Sequence, residues 1–121
     1  MDAGWSSFFL SYWHRDQQEF SLEQSINYLT AKQARIIGLQ DRGSLEMGKR
    51  ADINIIDIDQ LAERQPIRVQ DFPGGAPRFI QRAIGYQNTI VNGQVILEND
   101  ELTGEVGGQI IRNQSKYSVK G

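Results

Sequence analysis

The side chains that could carry out catalysis are few in this sequence. The 121 residues include a single histidine, His14, and no cysteine. A zinc enzyme usually supplies three or four ligands from histidine, cysteine or carboxylate side chains. One copy of the chain therefore lacks the ligands for a catalytic metal site. We expect no catalytic residue, no metal ligand and no cofactor-binding residue in it.

Three short motifs match fragments of known functional sequences, and each has a simpler structural interpretation. His14-Arg15-Asp16 matches the start of a kinase catalytic loop, but the glycine-rich loop and the D-F-G that belong with it are missing. Gly107-Gly108-Gln109 matches the hydrolytic tripeptide of translation release factors. The segment from Pro73 to Pro77 is rich in glycine, but a phosphate-binding loop leads into a helix, and here a strand follows. We interpret the three as surface helix residues, a C-terminal turn and a loop.

The aspartates Asp52, Asp57 and Asp59 invite a carboxylate-cluster interpretation, either for calcium or for acid–base chemistry. Asp52 and Asp57 are an odd number of positions apart, so a strand would point them to opposite faces. The remaining pair lacks a third ligand. We therefore predict turn and strand-end roles for these aspartates.

Large aromatic rings at helical spacing form the main candidate surface. Their separations of three, four, seven and eight place them on one side of a helix from about Trp5 to Gln17. The pattern predicts a helix that faces a core or an oligomer partner, and it leaves open an aromatic box for a small ligand. The opposite side includes Ser6, Ser7, Ser11 and Arg15. The rings are Trp5, Phe8, Phe9, Tyr12 and Trp13.

Two further helices are predicted after the aromatic one. Ser21 to Gln24 is a capping-box pattern that starts a helix with Leu22, Ile26 and Leu29 on one side. Thr30 to Gln33 repeats the pattern and starts a helix to about Ile37, with Gly38 suited to a left-handed C-cap. The first third of the chain is therefore helical.

The second half reads as short strands. Asn92-Gly93 predicts a two-residue hairpin turn that pairs Val91 with Gln94 and Ile90 with Val95. Asn99-Asp100 predicts another turn. The fold class is α+β, with N-terminal helices from about Trp5 to Ile37 followed by a small antiparallel β-sheet from about Ala51 to Ile111. Other expected elements are a strand over Ala51–Ile58, a helical turn over Asp59–Arg64 that Pro66 ends, strands over Phe79–Tyr86 and Thr89–Val91, a last short strand at Ile110-Ile111, and a mobile tail from Asn113.

Length and charge exclude several classes of protein. A chain of 121 residues suffices for one compact domain but not for a (β/α)8 barrel, which needs about 250 residues. The formal charge of -2 and the scattered basic residues do not predict a nucleic-acid partner. The N-terminus lacks the basic region of a signal peptide, and the Trp5–Trp13 stretch is too short to span a membrane. We expect a soluble, cytoplasmic protein, in which the Asn113-Gln114-Ser115 sequon has no role.

Several segments together resemble one known family. Residues Gly43 to Asp57 read G-S-L-E-M-G-K-R-A-D-I-N-I-I-D, and this order of glycines and apolar residues is similar to the C-terminal sandwich segment of the amidohydrolase superfamily. Flanking segments most resemble its D-aminoacylase branch, the N-acyl-D-amino-acid deacylases. These segments are Leu29-Thr30, Ala34-Arg35 and Gly38 to Gly43 upstream, and Asp71 to Gly75, Gln81 to Ala83, Gly85-Tyr86, Val91 to Gly93 and Leu102 to Gly104 downstream.

The resemblance implies only the last part of such an enzyme. Residues 1–42 resemble the last barrel helices and residues 43–112 resemble sandwich strands, while residues 113–121 form a flexible tail outside the match. Asp2-Ala3-Gly4 is not the family's metal-binding aspartate, because the helix begins here immediately. The family binds zinc, but the resemblance places its metal-bearing histidine pairs and cysteine outside this sequence.

Two functional hypotheses follow. The favoured one is a non-catalytic amidohydrolase fragment that self-associates or binds a partner, most simply as a homodimer or higher homo-oligomer through the aromatic helix or the sheet. The alternative is a part of a metal-dependent hydrolase of N-acyl-D-amino acids, acting on a C–N bond outside peptides, whose barrel partner is supplied elsewhere.

Overall fold

The computed structural model describes residues 4–111 of the chain. Its helices come first. Helix α1 begins as an α-helix at Trp5–Phe8 and continues as a π-helix over Phe9–Asp16, where Gln17 N donates to the Tyr12 carbonyl five residues before it. Helices α2 and α3 follow at Leu22–Leu29 and Ala31–Ile37. The expected helical first third is confirmed, although π-helical bonding from Phe9 was not predicted.

The helix ends test the capping predictions. Ser21 and Gln24 form both hydrogen bonds of a capping box at the start of α2, as predicted. Gly38 ends α3 in the left-handed conformation with φ of 80°, also as predicted. The second capping box is wrong, because the Thr30 hydroxyl donates to the Ile26 carbonyl at 2.7 Å and does not cap α3. That hydroxyl bonds back to the preceding helix, which has the nearer acceptor.

The strands form three antiparallel units. A four-stranded sheet has the order β1-β6-β7-β8, and β2–β5 and β3–β4 are separate two-stranded pairs. This arrangement confirms the α+β class with a small antiparallel sheet after the helices. The strands are β1 Ile53–Ile56, β2 Ala62–Glu63, β3 Ile67–Val69, β4 Arg78–Ile80, β5 Ala83–Ile84, β6 Tyr86–Val91, β7 Gln94–Glu98 and β8 Glu101–Leu102.

The predicted hairpin is present in the predicted register. Val91 lies opposite Gln94 and Ile90 opposite Val95. Asn92 and Gly93 have φ of 51° and 82°, the left-handed values that a two-residue turn of this type requires. Asn99-Asp100 also turns the chain, between β7 and β8. Local turn chemistry therefore determines this end of the sheet.

Three local predictions are wrong. Asp59–Arg64 is not a helical turn throughout, because Ala62–Glu63 pairs with β5. The strand expected over Phe79–Tyr86 is divided into β4, β5 and the start of β6, with Gly85 at φ of 98°. Ile110-Ile111 forms no strand. Pairing with β5 overrides the local pattern in the first case, and the left-handed Gly85 interrupts the strand in the second. The tail from Asn113 and the segment before Gly4 lie outside the described residues.

The apolar core of the described residues is small. Leu10, Ala34 and Leu61 are its buried hydrophobic side chains, and Leu61 is fully enclosed. Many larger apolar side chains remain exposed, among them Ile36, Ile37, Leu45 and Met47. No helix in this part of the chain has both the length and the apolar character to cross a membrane. The fold therefore leaves considerable apolar surface without a cover.

We predict that Gly85 is the least replaceable glycine of the sheet. An added Cβ would lie 2.8 Å from the Leu61 Cα and 3.0 Å from the Asp57 carbonyl oxygen. Gly85→Ala should lower the free energy of unfolding by about 1 kcal/mol for the positive φ and by about 1–3 kcal/mol more for the overlap. Urea unfolding of the variant measures this loss.

The matched control is Gly38→Ala, which has a similar positive φ and nothing within 4 Å of the added Cβ. It should show the conformational part of the loss alone. Equal losses for the two variants would contradict the close packing of Gly85 against Leu61.

Candidate functional site

The aromatic face of α1 points away from the rest of the fold. We define this face as the four rings of Trp5, Phe8, Tyr12 and Trp13, which are 54%, 39%, 38% and 40% exposed. Phe8 stacks on Tyr12 with ring centroids 5.0 Å apart, and Tyr12 meets Trp13 edge-on at 5.1 Å. Phe8, Tyr12 and Trp13 therefore form one cluster, and Trp5 lies three positions before Phe8 on the same helix. The four rings are part-exposed on the outside of the described structure.

The fifth predicted ring, Phe9, lies elsewhere. It stacks on Phe20 at 5.4 Å, and Phe20 meets Tyr28 edge-on at 5.8 Å. Phe9 therefore joins α1 to α2 and does not belong to the aromatic face. The sequence grouped it with the other four because helical spacing alone cannot separate the two sides of a wide aromatic stripe.

The serine side of α1 faces inward. Ser7 and Ser11 are buried, and Leu10 is only 3% exposed. The Ser7 hydroxyl lies 2.9 Å from the Tyr86 hydroxyl on β6 and is hydrogen-bonded to it. The core-facing interpretation of the aromatic face is therefore wrong within residues 4–111. Small serine side chains let the helix approach the strands closely, and the large rings remain outside.

Arg15 fixes α1 to the loop that follows β1. Its Nη1 donates to the carbonyls of Ile58, Asp59 and Leu61 at 3.0, 3.2 and 2.7 Å. Its Nε donates to Asp16 at 2.7 Å. The hydrogen bond to Asp16 raises the pKa of Arg15, and the same bond lowers the pKa of Asp16. One guanidinium thus sets the orientation of the helix relative to the sheet.

His14, the single histidine, has a structural contact. Its Nδ1 lies 2.9 Å from the Phe20 carbonyl oxygen, and because a carbonyl only accepts, Nδ1 carries the proton. His14 also lines an open cleft of about 470 Å³ together with Arg15, Gln18, Ser21 and Asp59, among others. The neighbouring Arg15 cation disfavours a metal ion there. Residues 4–111 contain no group of three histidine or carboxylate side chains placed to hold a metal.

The three candidate aspartates stabilise turns and a strand end. Asp57 accepts hydrogen bonds from the backbone N–H groups of Asp59 and Gln60 at 3.1 and 3.3 Å. Asp52 accepts from Asn92 N at 2.8 Å and so joins the start of β1 to the hairpin turn. The predicted structural roles of Asp52 and Asp57 are confirmed. Asp59 contributes its backbone N–H and carbonyl to these contacts.

A network of charged side chains connects the segments that carried the family resemblance. Arg42 donates to Asp41 at 3.2 Å and to Asp52 at 2.9 Å. Arg50 donates to Asp41 and to Asn92, each at 2.9 Å. The hydrogen bond from Arg42 lowers the pKa of Asp41 most, and the hydrogen bond from Arg50 lowers it further. This network was not predicted from the sequence. The opposite charges that are neighbours in Asp41-Arg42 and Arg50-Ala51-Asp52 could have indicated it.

The sequence is similar to those of a known protein family. Residues 3–97 match the sequence profile of the amidohydrolase family. This chain belongs to that family. The dihydroorotase of Lactobacillus acidophilus is 38% identical over 80 residues, which are 65% of this chain and 19% of that protein. The allantoinase of Solibacter usitatus is 27% identical over 112 residues, 87% of this chain and 23% of that protein.

The relatives also include a deacylase. The N-acyl-D-glutamate deacylase of Alcaligenes xylosoxydans is 37% identical over 62 residues, 50% of this chain and 13% of that protein. No solved structure matches the chain. The chain therefore spans less than a quarter of the length of these amidohydrolase-family relatives.

We predict that the charged network stabilises the fold in a pH-dependent way. Arg42→Gln removes two ion pairs and should lower Tm by about 2–5 °C at neutral pH. The pKa of Asp41 is lower in the folded state than in the unfolded chain. Its carboxylate therefore stabilises the fold fully at pH values above the usual pKa of an aspartate, and this stabilisation is lost as the pH falls through the pKa of the folded state. The difference between parent and variant should therefore shrink below about pH 4.

Thermal unfolding followed by circular dichroism measures both values. Arg35→Gln is the control, because Arg35 is exposed and forms no ion pair within residues 4–111, so its effect on Tm should be small at both neutral and acid pH. A Tm difference that stays constant from neutral to acid pH would contradict the role of Asp41.

Proposed function

We propose that this chain is the C-terminal structural segment of a metal-dependent amidohydrolase of the D-aminoacylase-like branch, non-catalytic on its own. The whole enzyme would hydrolyse the C–N bond of N-acyl-D-amino acids. This segment supplies a packing surface, and a barrel partner supplies the metal site. The observation that carries the proposal is the outward position of the aromatic face on α1.

An uncovered face of this size is costly in water. Burying one fully exposed large apolar side chain is worth about 1.5–3 kcal/mol, and because the four rings of the aromatic face are 38–54% exposed, covering them would recover part of that amount for each ring. Contiguous exposed patches of this kind mark interaction sites. We infer that the rest of the hydrolase covers this face. The relatives have several times the length of this chain, which leaves room for the catalytic barrel that the family resemblance implies.

The residues that the structure describes do not fit a zinc site. The family's zinc would need several nitrogen, sulfur or carboxylate ligands. His14 donates its Nδ1 proton to a backbone carbonyl and shares its cleft with the Arg15 cation. We therefore assign no step of the reaction to this chain. Its contribution is positional: Arg15 and Ser7 hold α1 so that the aromatic face is presented outward.

The proposed assignment to the D-aminoacylase-like branch is based on sequence similarity. Its support is the order of motifs along the chain and the likeness to the N-acyl-D-glutamate deacylase. The dihydroorotases, which are also similar, are the competing branch. Both branches share the amidohydrolase family, so a test must distinguish the two scaffolds.

We predict that this segment replaces its counterpart in a deacylase. In one chimera the matching region of the Alcaligenes N-acyl-D-glutamate deacylase is exchanged for that of this chain, and in a second the same is done in the Lactobacillus acidophilus dihydroorotase. The deacylase chimera should keep kcat/KM for its N-acyl-D-glutamate substrate within about tenfold of its parent. The dihydroorotase chimera should lose about 100-fold, as expected for a misplaced supporting segment.

The role of the aromatic face is tested in the deacylase chimera. Trp13→Asp should lower activity and Tm, because the carboxylate is forced into the covered interface. Asn27→Asp, an exposed polar position of α2 that gains the same charge, is the matched control and should change neither. Equal activity of the Trp13→Asp chimera and its parent would contradict the proposal. So would steady, chelator-sensitive hydrolysis of an N-acetyl-D-amino acid by this chain alone.

A further inference from the structure

The β3–β4 hairpin is a second surface without a cover. Its strands pair with each other in a sheet of their own. An isolated two-stranded hairpin is marginally stable in water. Yet this one exposes Ile67, Phe72 and Phe79, and Phe79 is 66% exposed. Arg68 and Phe79 are cross-strand partners and so share one face of the hairpin, whereas Ile67 lies on the other face and Phe72 packs under the Arg78 guanidinium at 5.2 Å. Phe79 beside Arg68 is therefore the most exposed apolar side chain of the hairpin.

Arginines lie next to two of these apolar side chains: Arg68 is the cross-strand partner of Phe79, and Arg78 lies over the Phe72 ring. We define the arginine arm as residues 64–82, whose single carboxylate, Asp71, forms two 2.6 Å hydrogen bonds with Arg78. Within residues 4–111, no ion pair joins the other arginines of the arm to a carboxylate. Within the described residues, three arginines of the arm thus carry positive charge that no carboxylate pairs with. Its arginines are Arg64, Arg68, Arg78 and Arg82.

The next part of the chain has the opposite charge. Residues 83–111 contain no lysine or arginine. Strand β8 forms one end of the four-stranded sheet, where Leu102 is 76% exposed. Asp100 is excluded from this surface because it accepts the N–H groups of Gly85 and Tyr86. We define the acidic edge as the exposed residues Glu98, Glu101, Leu102, Glu105 and Val106.

We propose that the arginine arm docks on the acidic edge of a second copy of this chain. Both surfaces combine exposed apolar side chains with unpaired charge, and the two signs are opposite. Such complementarity guides association and fixes its orientation. A two-fold axis repeats the contact, so that the arm of each copy meets the edge of the other. The aromatic face is separate from this contact, which therefore does not depend on the proposed catalytic context.

Sedimentation of the full chain in low salt and in about 1 M salt tests the contact. We expect a dimer, twice the 13.7 kDa of one chain, in low salt. Salt at about 1 M reduces the range of electrostatic attraction to about 3 Å, and the dissociation constant should rise. A monomer at micromolar concentration in low salt would overturn the proposal.

Charge reversal locates the contact. Arg68→Glu and Glu101→Arg should each raise the dissociation constant by about tenfold or more, and the double variant should recover most of the affinity. Arg35→Glu, a matched reversal on α3 outside both surfaces, should leave the dimer unchanged. Circular dichroism checks the fold of each variant, and if Arg68→Glu is unfolded, Glu101→Arg decides alone. A dimer that is lost in Trp13→Asp but kept in folded Arg68→Glu or Glu101→Arg would assign dimerisation to the aromatic face and overturn the proposal.

Discussion

The contact between Arg15 and three backbone carbonyls determines how the two parts of this chain are arranged. The carbonyls belong to Ile58, Asp59 and Leu61 in the loop that follows β1. Leu61 is also fully buried. Because Arg15 and Ser7 are on the same side of α1, the bond to the loop and the bond to Tyr86 act together. The serine side must then face the sheet, and the large rings must face outward. The exposed aromatic face is a consequence of this anchoring.

The residues that identify the amidohydrolase family in this chain have structural roles. Asp41, Arg42, Arg50 and Asp52 form one charged network that reaches the hairpin turn at Asn92. Gly85 is required where the chain passes close to Leu61. A family signature can therefore be strong in residues that stabilise the fold, and within residues 4–111 no group of side chains is placed to hold a metal. In this chain it reports the geometry of the loop before β1 and of the β6–β7 hairpin.

Local chemistry explains what the sequence predicted well. The Ser21 capping box, the left-handed Gly38 and the Asn92-Gly93 register each depend on residues within a few positions of one another. Which side of α1 faces the sheet could not be predicted, because hydrophobic periodicity favours burying the rings. The hydrogen bonds of Ser7 and Arg15 to residues far along the chain place the serine side against the sheet instead. Ala62–Glu63 likewise became a strand through pairing with β5.

The claim that the serine side and not the aromatic side forms the core of α1 is tested most directly by two substitutions in the isolated chain. Urea unfolding should show that Leu10→Ala lowers the free energy of unfolding by about 2–5 kcal/mol, as for a buried leucine. Trp13→Ala should lower it by about 1 kcal/mol or less, because that ring is already part-exposed to water. The reverse order, with Trp13→Ala the more damaging change, would contradict the account.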